Sequence, residues 1–355
     1  MHWDDLYCTH TFYIALYDLQ AHNRTDLLSA GFLTMAMEVR QVVPKDTIPS
    51  VDDPSFGTAY DGDGDDEMMV LDTDGGPRAY PIRYLHFHEI VNDHIQRDGE
   101  SVPVAVTWCP LCGSAVVYER RVGDQTLTFG VSGKLADDDL VMYDRETESE
   151  WKQSLGECIA GVHEGAELTV LPISVTTWEI YRETEPDGVV LQRPGGESEA
   201  ASETADPDRI DYDRDPYAEY FEMDGFGLDA HRGGEGRTWA REDIDPKTVV
   251  LGVEREGDAL GFPLPVVRDA GGVVTASVGD SSVVVFATDG AIHAFENPGF
   301  EFERTGDRGY AADGTTWDGV TGESDDGRRL DSVPARRLFA FAWQDDHGPD
   351  AFFQR

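Results

Sequence analysis

Residues 102–120, VPVAVTWCPLCGSAVVYER, place two thiols, Cys109 and Cys112, between two apolar runs. Both runs are rich in β-branched residues, which favour strands over helices. A short Cys-Pro-Leu-Cys-Gly link between such runs predicts a β-hairpin with the thiols at its tip. Because two thiols this close can share one metal ion or form one disulfide, the hairpin is the first candidate for a reactive site.

The segment just before this hairpin carries polar side chains at helical spacing. In residues 83–93, RYLHFHEIVND, apolar positions recur every three or four residues, which predicts a short helix. On that period His88 and Asn92 share a face, with Glu89 beside them and Asp93 within reach of Glu89. The helix is therefore expected to bring an imidazole and several polar groups to the thiol turn.

A metal site is the first interpretation of Cys-x-x-Cys. Tetrahedral zinc needs four ligands, and the sequence has no second Cys-x-x-Cys, so further ligands would come from the preceding helix. Two thiolates and one imidazole would also suit Cu(I). We therefore predict a zinc or copper site with Cys109, Cys112 and His88 as ligands. The residues predicted to support it are Glu89, Asn92, Asp93, Trp108, Ser114, Asp144 and Trp151.

Three other functions fit the same residues. Trp-Cys-x-x-Cys after a strand resembles the thioredoxin active site, and such a pair can cycle between dithiol and disulfide. That resemblance is local, because the second thioredoxin cysteine lies in a helix whereas GSAVVYER predicts a strand. One cysteine could instead act as a nucleophile with His88 as its base. The fourth alternative is a binding scaffold without catalysis.

The charge of the chain restricts its partners. Its 355 residues include 70 acidic and 28 basic side chains, a formal net charge of −42. A field of this sign repels nucleic acid and anionic membranes. The acids are spread over almost every predicted loop, a pattern that resembles proteins of salt-loving archaea. We predict a halophilic acidic surface and no nucleic-acid partner, and leave protein and small-molecule partners open.

Neither a membrane span nor a secretory signal is visible in the sequence. The longest apolar-leaning stretch, residues 27–39, is short and interrupted by polar residues. No basic start with a small-residue cleavage site is present. We therefore expect a cytoplasmic protein, with export or membrane anchoring as the alternative if translation starts elsewhere. Four cysteines do not form a disulfide framework, and we interpret Cys8 and Cys158 as incidental or buried residues.

The chain is predicted to be mainly β with a few short helices, an α+β fold. We expect two similar β-rich lobes from an internal duplication, since AVVYE and LTVLP in the first half correspond to AIHAFE and LDSVP in the second. The second lobe has neither thiols nor, in VVRDAGGVV, a sequence expected to form the helix. The predicted divisions are an N-terminal extension (1–43), a first lobe (44–192), an acidic crossing segment or linker (193–245) and a second lobe (246–345).

Several motifs together resemble one family. RAYPIRYLHFHEIVND, the CPLCG hairpin, TFGVSG, LVMYDRETESEW and DPYAEY are similar to the uncharacterised domain-of-unknown-function family 3179 of bacteria and haloarchaea, over roughly residues 47–343. Its members often have Asn-Trp where this chain has His86-Phe87, and often begin with an export or lipoprotein signal. The resemblance implies no activity. The residues that it marks are His88, Glu89, Asn92, Asp93, Cys109 and Cys112.

Overall fold

The computed structural model describes residues 37–202, 204, 206–288 and 291–355; Cys8 and the rest of residues 1–36 lie outside these ranges. The first strands in chain order are β1 (Val39–Gln41), β2 (Phe56–Gly57), β3 (Glu67–Leu71), β4 (Arg78–Pro81), β5 (Ile90–Arg97), β6 (Glu100–Cys109), β7 (Ser114–Glu119), β8 (Arg121–Val122), β9 (Gln125–Thr126), β10 (Phe129–Ala136), β11 (Asp139–Asp144), β12 (Glu150–Lys152), β13 (Glu157–Ala160), β14 (Val170–Leu171), β15 (Ser174–Thr177) and β16 (Val189–Leu191). The later strands are β17 (Glu197–Ser198), β18 (Asp208–Arg209), β19 (Val249–Arg255), β20 (Asp258–Pro263), β21 (Val273–Val278), β22 (Ser281–Thr288), β23 (Ala291–Glu296), β24 (Glu303–Arg304), β25 (Gly309–Ala312), β26 (Thr315–Asp318) and β27 (Arg336–Phe339).

The helices of the described ranges are short. A 3-10 turn spans Glu199–Ala201, and the α-helices are α1 (Ile82–His88), α2 (Trp178–Thr184), α3 (Ala218–Glu222), α4 (Gly227–His231), α5 (Leu264–Asp269) and α6 (Ala340–His347). The predicted fold class, mainly β with a few short helices, is confirmed.

A seven-stranded sheet with the order β20-β19-β27-β7-β6-β5, with β14 also paired to β7, forms the centre of the fold. Its thiol hairpin is buried on both faces, which explains why the sequence is apolar almost throughout. Val104, Val106 and Trp108 of β6 pack on the side of α1, β3 and β4. Ala105 and Cys109 pack on the opposite side, against β10 and β11. The alternation of strand side chains therefore directs Cys109 toward a second sheet, β1-β10-β11-β12-β13.

The predicted hairpin is confirmed, because β6 and β7 pair from Val104 with Glu119 to Cys109 with Ser114. The predicted helix over residues 83–93 is wrong in its second half. Helix α1 ends at His88, and Ile90 already pairs with β6. Glu89 interrupts the helix with a φ of 57°. The β-branched residues after it join the central sheet, where strand pairing outweighs the local helical period.

The segment 193–245 contributes α3 and α4 and buries Tyr220, Phe226 and Leu228 in the core on the thiol side of the central sheet. The central sheet also joins strands of both predicted lobes, and residues 37–355 form one compact unit. Strand β1 pairs with β10, although it belongs to the predicted N-terminal extension.

The second half of the chain contains a helix where the sequence excluded one. Helix α5 follows the β19–β20 hairpin and begins after Pro263, as α1 follows β3–β4 and begins after Pro81. Pro265 stands in the first turn of α5, where its missing N–H costs no hydrogen bond. The expectation that VVRDAGGVV leaves no helix was therefore wrong, because its first residues complete a helix that starts earlier.

Candidate metal centre

Two turns from neighbouring sheets meet at the thiols. The first is the CPLCG turn of the central sheet, in which Gly113 has a φ of 55°. A Cβ on Gly113 would stand 2.7 Å from the ring of Phe339, so glycine is required both for its backbone conformation and for space. The N–H of Phe339 donates to the carbonyl oxygen of Cys112 at 2.7 Å. Strand β27 therefore holds the turn from behind.

The second turn joins β10 to β11. Asp137 and Asp138 have φ values of 52° and 69°, a conformation that Asp tolerates better than most residues. The Asp138 carbonyl oxygen faces both sulfurs, 3.3 Å from Sγ of Cys112 and 3.9 Å from Sγ of Cys109. The next residue, Asp139, begins β11 and directs its carboxylate to the same place.

Three ligand atoms converge there. The Sγ atoms of Cys109 and Cys112 and a carboxylate oxygen of Asp139 all lie within 4.8 Å of one another. Ligands about 2.0–2.3 Å from zinc stand roughly 3.3–3.8 Å apart in a tetrahedral site, so a small contraction would let one ion contact all three. Each of the three residues is at most 1% exposed.

The carboxylate of Asp139 is only half satisfied by the protein. Its Oδ2 accepts a hydrogen bond from the N–H of Ser154 at 2.7 Å, whereas Oδ1 is buried and has no partner among the described residues. Burial raises the pKa of Asp139 to about 6, although the nearby charge of Lys152 opposes this shift. A buried acceptor without a partner is rare in proteins and marks a place for water or an ion.

Lys152 supplies the nearest buried positive charge. Its ammonium group is 3% exposed and lies 2.6 Å from the carboxylate of Asp346 in α6 and 3.8 Å from that of Asp137. Burial alone would lower the pKa of Lys152, but the charges of Asp346 and Asp139 more than offset this and raise it. Lys152 therefore stays charged and faces three carboxylates.

The thiols themselves are in their neutral form in this environment. Burial raises the pKa of Cys109, and burial together with the neighbouring thiol raises that of Cys112 well above its usual value. A cysteine that attacks a disulfide does so as a thiolate with access to its partner. Neither condition is met by these sulfurs without a cation to stabilise their charge.

The segment after β18 covers the CPLCG turn. The hydroxyl of Tyr220 donates to the carbonyl oxygen of Leu111 at 2.6 Å and accepts from the N–H of Gly227 at 3.1 Å. The N–H of Leu228 donates to the side chain of Asp138 at 3.2 Å, which ties α4 to the second turn. The acidic crossing segment thus closes the site.

His88, the predicted third ligand, is occupied elsewhere. Its Nδ1 lies 2.8 Å from the carbonyl oxygen of Pro49 and its Nε2 lies 2.7 Å from the hydroxyl of Tyr212. Because a carbonyl oxygen can only accept, Nδ1 carries the proton; burial lowers the pKa of His88, so its neutral Nε2 accepts from Tyr212. The group that converges on the sulfurs contains Asp139 instead of His88.

Asn92 and Asp93 lie on β5 and bind neighbouring protein groups. The amide of Asn92 donates to the carbonyl oxygen of Phe129 at 2.8 Å and accepts from the N–H of the same residue at 3.0 Å, as another strand would. The carboxylate of Asp93 accepts from Arg78 at 2.6 Å and from the hydroxyl of Tyr80 at 2.7 Å. Both side chains connect strands.

The remaining predicted residues divide into two groups. Asp144 accepts from the indole N–H of Trp151 at 3.0 Å and from the N–H of Thr147 at 2.6 Å, and so stabilises the β11–β12 turn. Trp108 and Ser114 flank the two cysteines, and their Nε1 and Oγ atoms are buried without partners among the described residues. Two buried polar atoms without a partner among the described residues therefore belong to residues next to the thiol turn.

Glu89 differs from the other predicted residues in that its backbone is hydrogen-bonded to both α1 and β6, while burial raises the pKa of its carboxyl group. Its backbone N–H donates to the carbonyl oxygen of Leu85 and its own carbonyl oxygen accepts from the N–H of Trp108, both at 2.8 Å. Burial, reinforced by the charges of Glu199 and Asp139, raises the pKa of Glu89 to about 8. It is a buried carboxyl group held close to the thiol turn by its backbone.

The sequence prediction missed Asp139. A signal was present, because three consecutive aspartates, Asp137-Asp138-Asp139, stand directly before the apolar strand residues LVMY. An acid at the first position of a buried strand is expensive to bury unless it has a partner. What the sequence could not supply was the packing of this turn against CPLCG.

A comparison of the sequence with models of protein families assigns the chain to one family. The sequence model of the family described as "Protein of unknown function (DUF3179)" matches residues 45–351. The chain belongs to this family. Comparisons with curated proteins and with solved structures gave no match. Within the described ranges, every helix of this DUF3179 protein is too short or too polar to cross a bilayer.

Proposed function

We propose that this protein binds one divalent metal ion, zinc, through Cys109, Cys112 and Asp139. The observation that carries the proposal is the convergence of two sulfurs and one carboxylate oxygen within 4.8 Å of one another in a fully buried place. The free Oδ1 of Asp139 supports it, because this buried acceptor has no partner among the described residues.

Charge balance favours a dication over an empty site. Two thiolates and one carboxylate carry three negative charges, and burial of such charges without compensation is costly. A dication reduces the sum to one negative charge, which the ammonium of Lys152 faces from behind Asp139. Metal binding would also release the thiol protons that burial otherwise retains.

The ligand set distinguishes the two metals suggested by the sequence. Cu(I) prefers sulfur and imidazole, whereas zinc accepts thiolate and carboxylate together. Asp139 in place of His88 therefore favours zinc. Three protein ligands leave a fourth position open, as in zinc sites that bind an exchangeable molecule.

The proposal is tested by metal analysis of protein purified without a tag, together with thiol counting before and after chelation. We expect about one zinc per chain, and Cys109 and Cys112 unreactive until the metal is removed. Cys109→Ser, Cys112→Ser and Asp139→Asn should each lower the zinc affinity by at least about tenfold. Cys158→Ser is the matched control, because Cys158 is also buried but its Sγ lies near the carbonyl oxygen of Ala160, away from the three ligands.

Retention of stoichiometric zinc by the Cys109→Ser/Cys112→Ser double variant would contradict this assignment. So would metal-free protein that takes up no zinc when it is supplied in excess under reducing conditions.

A thiol-disulfide function is the second candidate, and the distance between the two sulfurs, at most 4.8 Å, favours it. Closure of the pair would oxidise two thiols with release of two protons and two electrons to an oxidised disulfide partner. The same experiment separates the candidates. Zinc-free protein with two sulfurs that a mild reductant exposes supports the redox function, whereas bound zinc with protected thiols supports the metal centre.

A further inference from the structure

A small cavity borders Cys109, one of the three proposed metal ligands. Its volume is about 130 Å³, and Cys109 and Pro110 form part of its wall. Most of the lining is aliphatic and comes from Val42, Ile48, Leu111, Leu135, Leu140 and Leu228. Leu228 belongs to α4, so the crossing segment closes one side of this space.

Glu89 is one of the polar residues of the cavity wall, which also contains Lys134, Glu199, His231 and Arg232. The residue is 7% exposed, and its carboxyl group makes no hydrogen bond or ion pair with any residue that the structure describes. Asp93, four residues further along in β5, is also buried, yet it accepts from an arginine and a tyrosine. A buried carboxyl group without a partner is costly, and one that faces a cavity is available to a ligand.

The backbone fixes this carboxyl group in place. Glu89 has a φ of 57°, which is unfavourable for a residue with a Cβ. The hydrogen bond from Trp108, the residue before Cys109, holds the strained position. Backbone strain of this kind is concentrated at functional sites, where the surrounding structure maintains it. Glu89 is thus connected directly to the strand that ends in the thiol turn.

We propose that this cavity binds a small neutral molecule that offers a lone pair to the metal and a hydrogen-bond donor to Glu89. The inference rests on the proposed metal centre and names the class of ligand for its open position. The ligand would lie between the ion and the carboxyl group, with its body against the aliphatic wall.

The size of the cavity and the charges around it define the class of ligand further. Pockets for drug-sized ligands measure about 300–1,000 Å³, and a water molecule occupies about 30 Å³ in the liquid. This cavity therefore holds the volume of about four waters and suits roughly four to six covalently bonded non-hydrogen atoms, which lie closer together than separate waters. Anions are disfavoured at the metal, because two thiolates and Asp139 already leave the occupied centre with one net negative charge. The cavity wall itself carries both signs, since Glu199 is accompanied by Lys134 and Arg232. A short neutral nitrogen, oxygen or sulfur donor with an N–H or O–H group fits both limits.

The test uses the full chain loaded with Co²⁺, whose visible spectrum reports its ligands. Imidazole is the probe, because one ring nitrogen can bind the metal while the opposite N–H donates to Glu89. We expect imidazole to change the cobalt spectrum in a saturable way. Acetate, which is anionic, and 4-phenylimidazole, which is too large, should leave it unchanged at the same concentration.

Two variants examine the cavity wall. At about pH 9, where the Glu89 carboxyl group with its pKa of about 8 is ionised, Glu89→Gln should weaken imidazole binding by about tenfold, since hydrogen bonds to charged groups contribute on this scale. Leu228→Phe should weaken it by filling the space. Both should still bind Co²⁺. The matched control is Glu185→Gln, because Glu185 is a partly buried carboxyl group whose pKa burial also raises, but it lines a different cleft.

Each outcome has a distinct meaning. A cobalt spectrum that shows thiolate ligands but does not respond to imidazole would overturn the cavity proposal and leave the metal centre standing. Failure to bind Co²⁺ or Zn²⁺ at all would overturn both. An unchanged imidazole affinity in a folded Glu89→Gln variant would remove Glu89 from the site, and equal binding of 4-phenylimidazole would refute the size limit.

Discussion

The β5–β7 meander and the β21–β23 meander share one framework and differ at its tip. Each follows a hairpin and a short helix that begins after a proline. Tyr118 of β7 pairs with Val170, and Phe295 of β23 pairs in the same way with Ser332. The hydrogen bond from the N–H of Glu119 to the carbonyl oxygen of Thr169, 2.9 Å, corresponds to one of 2.8 Å from Glu296 to Asp331.

The two meanders differ in the turn that connects their two long strands. In the first meander the CPLCG turn joins the two long strands, whereas in the second Thr288 already pairs with Ala291. The second framework packs a core of its own without thiols. The turn is therefore an addition that the fold does not require for packing. A common origin of the two meanders by duplication stays a prediction.

The largest effect on stability is expected for the buried ion pair near the first meander, compared with a partly exposed pair near the second. Lys152→Met removes the buried partner of Asp346 and leaves two buried carboxylates uncompensated, which should lower the free energy of unfolding by about 3–5 kcal/mol. Arg255→Met is the control near the second meander, because the Arg255–Glu296 pair is partly exposed and should contribute under about 1 kcal/mol. Denaturant unfolding at fixed salt measures both, and equal losses would contradict the distinction.

A buried titratable group in or next to each meander should make the free energy of unfolding depend on pH, and the two contributions have opposite signs. Burial raises the pKa of Glu89 to about 8, so the folded state binds more protons than the unfolded state between about pH 4.5 and 8. Stability of the metal-free protein should fall over this window, by about 3–5 kcal/mol.

Burial lowers the pKa of His293 in β23 to about 4, so the unfolded state binds more protons between about pH 4 and 6.5. This contribution should rise with pH, by about 2–3 kcal/mol.

Unfolding of chelator-treated protein across this pH range tests both signs. Glu89→Gln should remove the decline above pH 6.5, and His293→Gln should steepen the decline between about pH 4.5 and 6.5, because the His293 contribution offsets part of it there. Each variant serves as the control for the other. An unchanged slope between about pH 6.5 and 8 in Glu89→Gln would show that Glu89 does not titrate there.

A smaller effect is expected at the glycine of the thiol turn. Gly113→Ala combines backbone strain with a clash against Phe339, and we expect a loss of about 3 kcal/mol in the free energy of unfolding. Gly123→Ala is matched in backbone, with a φ of 57° against 55°, but no atom stands within 4 Å of its added Cβ. It should cost about 1 kcal/mol. Equal losses would mean that Phe339 moves aside without cost.

The smallest effect concerns the paired aromatic positions. Tyr118→Phe makes the first meander like the second, where Phe295 stands. The buried hydroxyl of Tyr118 donates to the carbonyl oxygen of Gln153 at 2.6 Å, so its loss should cost about 1 kcal/mol. Zinc affinity should not change, because Tyr118 is not a ligand. A parallel fall in zinc affinity would show that this hydroxyl holds the site together.

The sequence was informative where local forces decide the structure. Alternating β-branched residues and a glycine turn were enough to predict the thiol hairpin. The local helical period of residues 83–93 was misleading after Glu89, because pairing of Ile90 with β6 ends the helix there. Tertiary pairing of this kind has no signature in a short window of residues.

The candidate site shows the same limit. Cys109 and Cys112 were recognised by spacing, whereas Asp139 comes from a different sheet and meets them only through packing. His88 was selected by its neighbourhood in the chain, yet Pro49 and Tyr212 occupy both its ring nitrogens. Proximity along the chain was a poor guide to proximity in space at this position.

The hydrogen bond from Tyr220 to Leu111 joins residues 109 positions apart, and the ion pair from Lys152 to Asp346 joins residues 194 apart. During synthesis the two cysteines are therefore complete long before their cover and their buried counter-charge exist. We expect nascent chains to hold these thiols open to solvent until α6 is made. Metal ions then have open access to both sulfurs during translation, before the finished fold narrows that access.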